Sequence, residues 1–239
     1  MNGEVGNQKL KGIQMKENVT RRNFLATAGV AALAATSTSV AAAEGGSGKT
    51  LRILGVSCSP RKGMTTAKAV QVALDAAEAV DPRIKTELID LGGLKIAGYS
   101  PKPPEDDMKD ILPKFQDAAL GGVIIGSPSY FRSLSGLAKC FLERLAPLRK
   151  PKMVLADKPL GVVAVGAFRN GGQELTIEQI QAILLCYGMI AVGGHAPAFQ
   201  GATVVSTKDD ISADELGLKT AAQLGNHVGE AAIKLAKSA

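Results

Sequence analysis

The sequence predicts a three-layer α/β domain built on a doubly wound parallel sheet of five strands. Three observations predict it. Short apolar runs alternate with segments of helical period from residue 51 to the C-terminus. Each run is near-continuously apolar, as in strands covered on both faces. The 239 residues are 46% hydrophobic and 21% charged, enough for one domain with a sizeable core.

The elements follow in order. LRILGVS (51–57) is rich in branched residues and reads as a buried strand. TTAKAVQVALDAAEAV (65–80) sets Val70, Ala73, Leu74 and Ala77 on one helical face, and Asp81-Pro82 stops it. IKTELIDL (84–91) alternates Ile84, Thr86 and Leu88, a second strand. The Gly/Pro-rich stretch 91–107 is a long loop, and a helix follows over 107–120, interrupted or kinked at Pro113. GGVIIGSPSYF (121–131) is a third buried strand that ends in a polar turn at Ser127-Pro128. LSGLAKCFLERLAP (134–147) is helical, with Leu134, Leu137, Phe141 and Leu145 in line. PLGVVAVGAF (159–168) is the fourth strand. Thr176 and Gln179 have capping-box spacing for a helix over 177–187, and Gly188 suits a left-handed cap. MIAVG (189–193) is a fifth strand and 195–210 a long loop. A final helix runs over 212–237, with Ser212 and Glu215 again at capping-box spacing. This rhythm suggests the flavodoxin-like strand order 2-1-3-4-5, while pattern alone leaves a five-stranded Rossmann-type order open.

Residues 1–43 stand apart. Paired arginines in TRRNFL (20–25) precede an uncharged Ala-rich stretch ending in Ala41-Ala42-Ala43, a small-residue site for cleavage before Glu44. The long polar n-region and moderately apolar h-region resemble a twin-arginine export signal. That predicts a periplasmic or exported protein, membrane-anchored if the signal is not cleaved. Phe24 to Ala43 is long enough to span, but Ala, Ser and Thr dominate it, so insertion is weak and no permanent membrane insertion is expected. The domain division is therefore 1–43 signal, 44–50 linker, 51–239 folded domain.

Half of the formal charge of +6 is a property of that leader. Without residues 1–43 the chain keeps 23 basic and 20 acidic residues, too mild a surplus to imply a nucleic-acid partner. Scarce aromatics and the absence of Trp argue against a single-strand stacking platform. Cys58, Cys140 and Cys186 are widely spaced, so neighbouring cysteines do not hold zinc or an iron–sulfur cluster. Cys140 and Cys186 fall on apolar helix faces and read as small core residues.

Two loops compete as phosphate sites. AEGGSGKT (43–50) matches a loose nucleotide-loop pattern but follows the leader and precedes a strand, so Lys49 lacks the strand-to-helix context and the loop reads as linker. SCSPRKGMTT (57–66) has that context. Ser57, Ser59, Thr65 and Thr66 supply hydroxyls, Gly63 allows close approach, Arg61 adds a charged donor, and the helix start adds its dipole. Without a GxGxxG this loop suits a terminal monophosphate, such as that of FMN. The third strand ends in GSPSYFRS, offering the flat surfaces of Tyr130 and Phe131 and amides around Pro128 and Ser129. The fourth ends in AFRNGGQE, where Gly171 and Gly172 permit backbone approach to a planar ring. All three loops fall at the carboxyl edge of the sheet, where open parallel sheets bind ligands.

S-x-S-P-R-K-G-x-x-T, D-D-M, G-S-P-x-Y-F-x-S-x-S-G-x-x-K-x-F-x-x-R and G-x-x-x-N-G-G-Q-E, in this order, resemble the NADPH-dependent FMN reductase and iron–sulfur flavoprotein family over about residues 51–195. The resemblance implies a flavodoxin-like fold with one FMN per subunit and a homodimer or homotetramer. It assigns the FMN phosphate to Ser59, Arg61, Thr65 and Thr66, with Ser57 beside them. Pro128, Ser129, Tyr130, Phe131 and Ser133 would run along the ribityl chain and ring, and Ala167, Phe168, Asn170, Gly171 and Gly172 would contact the isoalloxazine edge. The sequence departs from the family at Cys58 and Thr65, where Gly and Asn are common, and at Arg132, where Gly is common. KIAGYSPKPPEDDM lacks the clustered cysteines of the iron–sulfur members, so the chain resembles a cluster-free one.

The functional expectation is an FMN-dependent oxidoreductase that takes electrons from NAD(P)H, a candidate co-substrate, and passes them to a small acceptor. No side chain need be a catalytic nucleophile and no metal is expected. The alternative is an exported flavodoxin-like electron carrier docking to a redox partner protein. His195, in the loop after the fifth strand, is a lone candidate for protonating or binding a substrate.

Overall fold

The computed structural model describes residues 49–194, 196 and 199–237. The export signal, most of the 44–50 linker and His195 lie outside the described residues. No helix among the described residues is long and apolar enough to cross a membrane.

Strands β1 (Leu51–Ser57), β2 (Ile84–Asp90), β3 (Leu120–Pro128) and β4 (Pro159–Gly166) are all parallel. Helices α1 (Thr65–Glu78), α2 (Met108–Phe115), α3 (Gly136–Arg144), α4 (Gln173–Leu185) and α5 (Glu215–Ala236) connect and follow them. With β5 at Ile190–Ala191, the sheet order is β2-β1-β3-β4-β5, as the alternating pattern anticipates. Side chains alternate between two apolar cores. Leu54, Val56, Val123, Ile125, Leu160 and Val162 face α2, α3 and α4. Ile53, Ile124, Val163 and Val165 face α1 and α5. Both sheet faces are therefore covered, which is why the strands read as unbroken apolar runs.

The anticipated face of α1 is fully buried: Val70, Ala73, Leu74 and Ala77 are each at 0% exposure. It packs against α5 at backbone distance, since a Cβ on Gly225 would stand 1.9 Å from the Ala73 carbonyl oxygen.

The fifth strand differs from expectation. Only Ile190–Ala191 (β5) pair with β4, at Pro159–Leu160. The stretch read as loop contains β6 (Ala202–Val205), which pairs with Val163–Gly166 farther along β4. One edge position is thus shared by two short strands.

Helix ends also depart from the reading. The helix expected over 107–120 passes through Pro113 but ends two residues later, at Phe115, and Asp117 turns the chain into β3 by accepting from the Ala119 amide at 2.8 Å. α4 starts earlier than a Thr176 cap would allow, behind left-handed Gly172, and Gln179 is spent on the amide of Leu134. α5 is capped by Asp214, which accepts from the Gly217 amide, while Ser212 bonds Asp210 instead. Gly188 does take the left-handed conformation after α4. Cys140 is half-buried and Cys186 exposed, so neither is a core residue; Cys58 is buried.

Candidate functional site

β1 delivers Ser57 and Ser59 to its carboxyl end, both buried. The loop that follows is fixed from several directions. The Cys58 amide donates to the Gly126 carbonyl at 2.8 Å, and the Ser135 hydroxyl donates to the Cys58 carbonyl at 2.7 Å. Asp90, at the end of β2, accepts from the amides of Gly63 at 2.6 Å and Gly92 at 3.1 Å. Ser59 Oγ accepts from the Arg61 amide at 3.1 Å. Asp90 has no part in the sequence reading of the site, yet its two carboxylate oxygens tie the loop after β1 to the next one.

α1 begins without a side-chain cap, because its N-cap residue is Met64. First-turn amides lacking an internal acceptor attract an external anion, and the helix dipole adds to that attraction. Ser57 Oγ is buried without a partner. Thr65 and Thr66 are buried at the helix start. Burial, with a smaller contribution from Asp90, pushes the Cys58 thiol far up, so it stays protonated.

The second loop leaves β3. Ser129 donates its amide to the Val165 carbonyl at 2.7 Å and its hydroxyl to the Gly171 carbonyl at 3.2 Å. Tyr130 and Ser133 exchange two backbone hydrogen bonds, which closes a two-residue turn with Phe131 and Arg132 at φ 51° and 64°. That turn throws Phe131 entirely into solvent. The Ser133 hydroxyl donates to Gln179 Oε1 at 2.9 Å. The third loop, after β4, presses on this turn: a Cβ on Gly172 would lie 2.6 Å from Arg132 Cα.

These loops surround a pocket of about 350 Å³ at the carboxyl edge of the sheet. Arg61, Thr65, Thr66, Pro128, Ser129, Tyr130 and Ala167 line it, seven of the expected residues from all three loops. Ser57, Ser59 and Ser133 are not among its lining residues. Phe168, mostly exposed, borders a neighbouring hollow of about 390 Å³ together with Ala167, and Asn170 and Gly172 border a smaller one with Arg132. Gly171 holds Ser129 through its carbonyl, and Phe131 projects away.

Ser206, Lys208 and Asp209 complete the pocket from the segment after β6. Sequence reasoning missed them because it read 195–210 as one loop. Asp209 Oδ1 accepts from Arg61 Nη1 at 2.7 Å, and chiefly this bond raises the guanidinium pKa further. A larger cavity of about 810 Å³ lies at the amino ends of β1 and β3, beside the C-terminus of α5. It is lined by none of the residues expected to bind a ligand. The expected residues gather at the carboxyl edge instead.

Away from the pocket, Asp106 and Arg144 form a nearly buried ion pair that organises the 91–107 segment. Asp106 also accepts from the amides of Ala97 and Met108, and Arg144 reaches the Ala97 carbonyl. Among the described residues, no group of three or more His, Cys, Asp and Glu could hold a metal ion.

The profile of the family described as NADPH-dependent FMN reductase matches residues 51–204. An iron–sulfur flavoprotein of Methanocaldococcus jannaschii is 38% identical over 198 residues, 78% of this chain and 100% of the relative. Among solved structures, a WrbA-like flavodoxin from Agrobacterium tumefaciens superposes with a TM-score of 0.55 at 19% identity, covering 78% of this chain and 98% of that one. RosB, solved with bound 8-demethyl-8-formylriboflavin-5'-phosphate, gives a TM-score of 0.65 at 15% identity, covering 79% and 81%.

Proposed function

The chain belongs to the NADPH-dependent FMN reductase family, and from that premise we propose that it is a cluster-free, FMN-bearing oxidoreductase that draws electrons from NAD(P)H and hands them to a small acceptor such as a quinone or a metal ion. FMN is its cofactor and an FMN-dependent oxidoreductase its class. The observation that carries the reading is the pocket wall, where uncapped α1, Thr65, Thr66 and Arg61 meet Tyr130 and the backbone of Gly166 and Ala167.

The residues present fit the cofactor. The open amides at the start of α1 and the Thr65 and Thr66 hydroxyls beside them suit a phosphate oxygen. Arg61, Thr65 and Thr66 would hold the phosphate, and Pro128, Ser129 and Tyr130 the ribityl chain and one side of the ring. Ala167, with the glycine-bearing loop behind it, would sit at the ring edge. When bound, FMN supplies the hydride- and electron-accepting chemistry, and the chain supplies orientation, polarity and exclusion of water. Cys58, a buried protonated thiol, is no nucleophile.

The paired arginines at 21–22 and the Ala-rich stretch support twin-arginine export of a folded, cofactor-loaded chain. NAD(P)H is a cytoplasmic pool, so an exported enzyme needs another donor or acts before export. A carrier docking to a redox protein is the second reading, favoured by Phe131 and Phe168 exposed beside the pocket. A homodimer or homotetramer is the proposed assembly. The binding test is titration of the purified full-length chain with FMN and riboflavin, read by flavin fluorescence. Tight, saturable binding that prefers FMN supports the assignment, and no binding of either flavin refutes it.

A further inference from the structure

Two turns at the pocket share an uncommon backbone. Tyr130–Ser133 and Thr207–Asp210 are each closed by a reciprocal pair of amide–carbonyl hydrogen bonds. Each holds two left-handed residues that are not glycine: Phe131 and Arg132 in one, Lys208 and Asp209 in the other. Such turns favour Asn-Gly, since a Cβ makes the left-handed region costly. Strain kept at a site points to a side chain needed at that place.

In the second turn the side chains needed are charged. Lys208 and Asp209 line the same pocket as Arg61, Thr65 and Thr66, and Asp209 Oδ1 sits 2.7 Å from Arg61 Nη1. The turn is well anchored. The Ser206 amide extends the β4–β6 ladder to the Gly166 carbonyl at 2.8 Å, and Asp210 accepts from the Ser212 amide at 3.1 Å. Arg61 and Asp209 lie 148 residues apart in sequence, so their pairing is a product of the fold.

We propose that Asp209 is a resident counter-ion for Arg61 that an entering phosphate monoester displaces, and that it thereby sets how tightly the site holds its cofactor. The inference rests on the FMN reading. Without ligand, the carboxylate gives the guanidinium an acceptor and fixes its long side chain across the pocket mouth. A phosphate monoester offers nearly two negative charges and three acceptor oxygens against one charge on Asp209, so it wins the donor. The exchange is feasible because the side chains of Arg61 and Asp209 are 49% and 52% exposed. A pair so exposed is weak, worth at most about a fivefold factor. Once displaced, the carboxylate still lines the pocket and opposes the phosphate charge, while Lys208 partly offsets it. Asp209 therefore lowers FMN affinity and leaves riboflavin, which lacks the phosphate, untouched.

Asp209→Asn in the full-length chain tests this. Asparagine tolerates left-handed backbone at least as well as aspartate, so the turn is kept, and the circular dichroism spectrum checks that. FMN and riboflavin affinities are measured by fluorescence quenching at low and high salt. The variant is expected to bind FMN roughly three- to tenfold more tightly than wild type, with riboflavin unchanged and the gap shrinking as salt screens the charges. FMN affinity unchanged or weakened in the variant overturns the proposal, the latter by making Asp209 a positioning residue that aids the phosphate. A gain shared equally by riboflavin also overturns it, since a phosphate-directed effect cannot reach that ligand. A wild-type chain that binds neither flavin removes the FMN reading itself, an outcome distinct from a wild type that binds FMN and a variant that does not differ.

Discussion

Replacing Gly172 by alanine tests the contact that welds the β4 loop to the β3 turn. Gly172 lies at φ 94°, and a Cβ there would stand 2.6 Å from Arg132 Cα and 2.8 Å from Arg132 Cβ, where ordinary contact begins at 3.4 Å. Arg132 must retreat by nearly 1 Å on this reckoning, about the limit of what a packed loop absorbs. It has little freedom to do so, because it is itself left-handed and enclosed by the two Tyr130–Ser133 hydrogen bonds. The left-handed backbone costs alanine about 1–2 kcal/mol, and overpacking against backbone adds about 1–3 kcal/mol. A loss of about 2–5 kcal/mol is expected, a large part of the roughly 5–15 kcal/mol that holds a domain together. Urea unfolding followed by circular dichroism measures it, with the slope checked for constancy so that the midpoint reports stability. FMN affinity should fall as well, since the displaced turn begins at Tyr130, which lines the pocket next to Ser129. A loss under about 0.5 kcal/mol would refute the reasoning, because it would mean the two loops part without cost.

Arg61→Ala should weaken FMN roughly two- to thirtyfold and leave riboflavin alone: a charge-assisted bond to phosphate is worth about 1.5–3 kcal/mol, less about 1 kcal/mol already spent on exposed Asp209. Equal losses for both flavins, measured by the same quenching titration, would sink the phosphate assignment. The buried Asp106–Arg144 pair makes acid a denaturant. Burial pushes the Asp106 carboxyl up, but Arg144 and the Ala97 and Met108 amides outweigh it, so its pKa lies below the ordinary carboxylate value. Its stabilisation is therefore complete above the ordinary carboxylate range and disappears as pH falls through the lowered folded value. Asp106→Asn should cost about 3 kcal/mol at neutral pH by stranding the Arg144 charge, and it should flatten the acid limb of the melting-temperature profile. A variant whose acid limb matches that of wild type would place the acid sensitivity elsewhere.

The four main strands and the buried face of α1 are legible in the sequence because a parallel sheet covered on both sides leaves unbroken apolar runs, and α1 a 3.6-residue stripe. The edge is harder to read. Ile190–Ala191 is exposed and two residues long, and the second piece, ATVV at 202–205, lies between glycine and serine-threonine residues that signal loop. The run of branched residues was the available clue. Capping boxes at Thr176 and Ser212 mislead for a related reason. Spacing alone cannot show that left-handed Gly172 opens α4 earlier or that Asp214 is the nearer acceptor for α5. The three loops of the site are visible as strand-to-helix junctions, since turn chemistry is local. Asp90 and Asp209 are not, because their partners Gly63 and Arg61 are distant in sequence and become neighbours only when strand order is known.

The central claim is that this pocket holds an FMN that nicotinamide nucleotides reduce. Anaerobic addition of NADPH, then NADH, to the FMN-loaded full-length chain, with the flavin absorbance followed, tests it most directly. The account predicts stoichiometric bleaching by at least one nucleotide and recovery of colour on adding a quinone. An FMN that binds yet bleaches with dithionite alone would contradict it and make the chain an electron carrier fed by another donor.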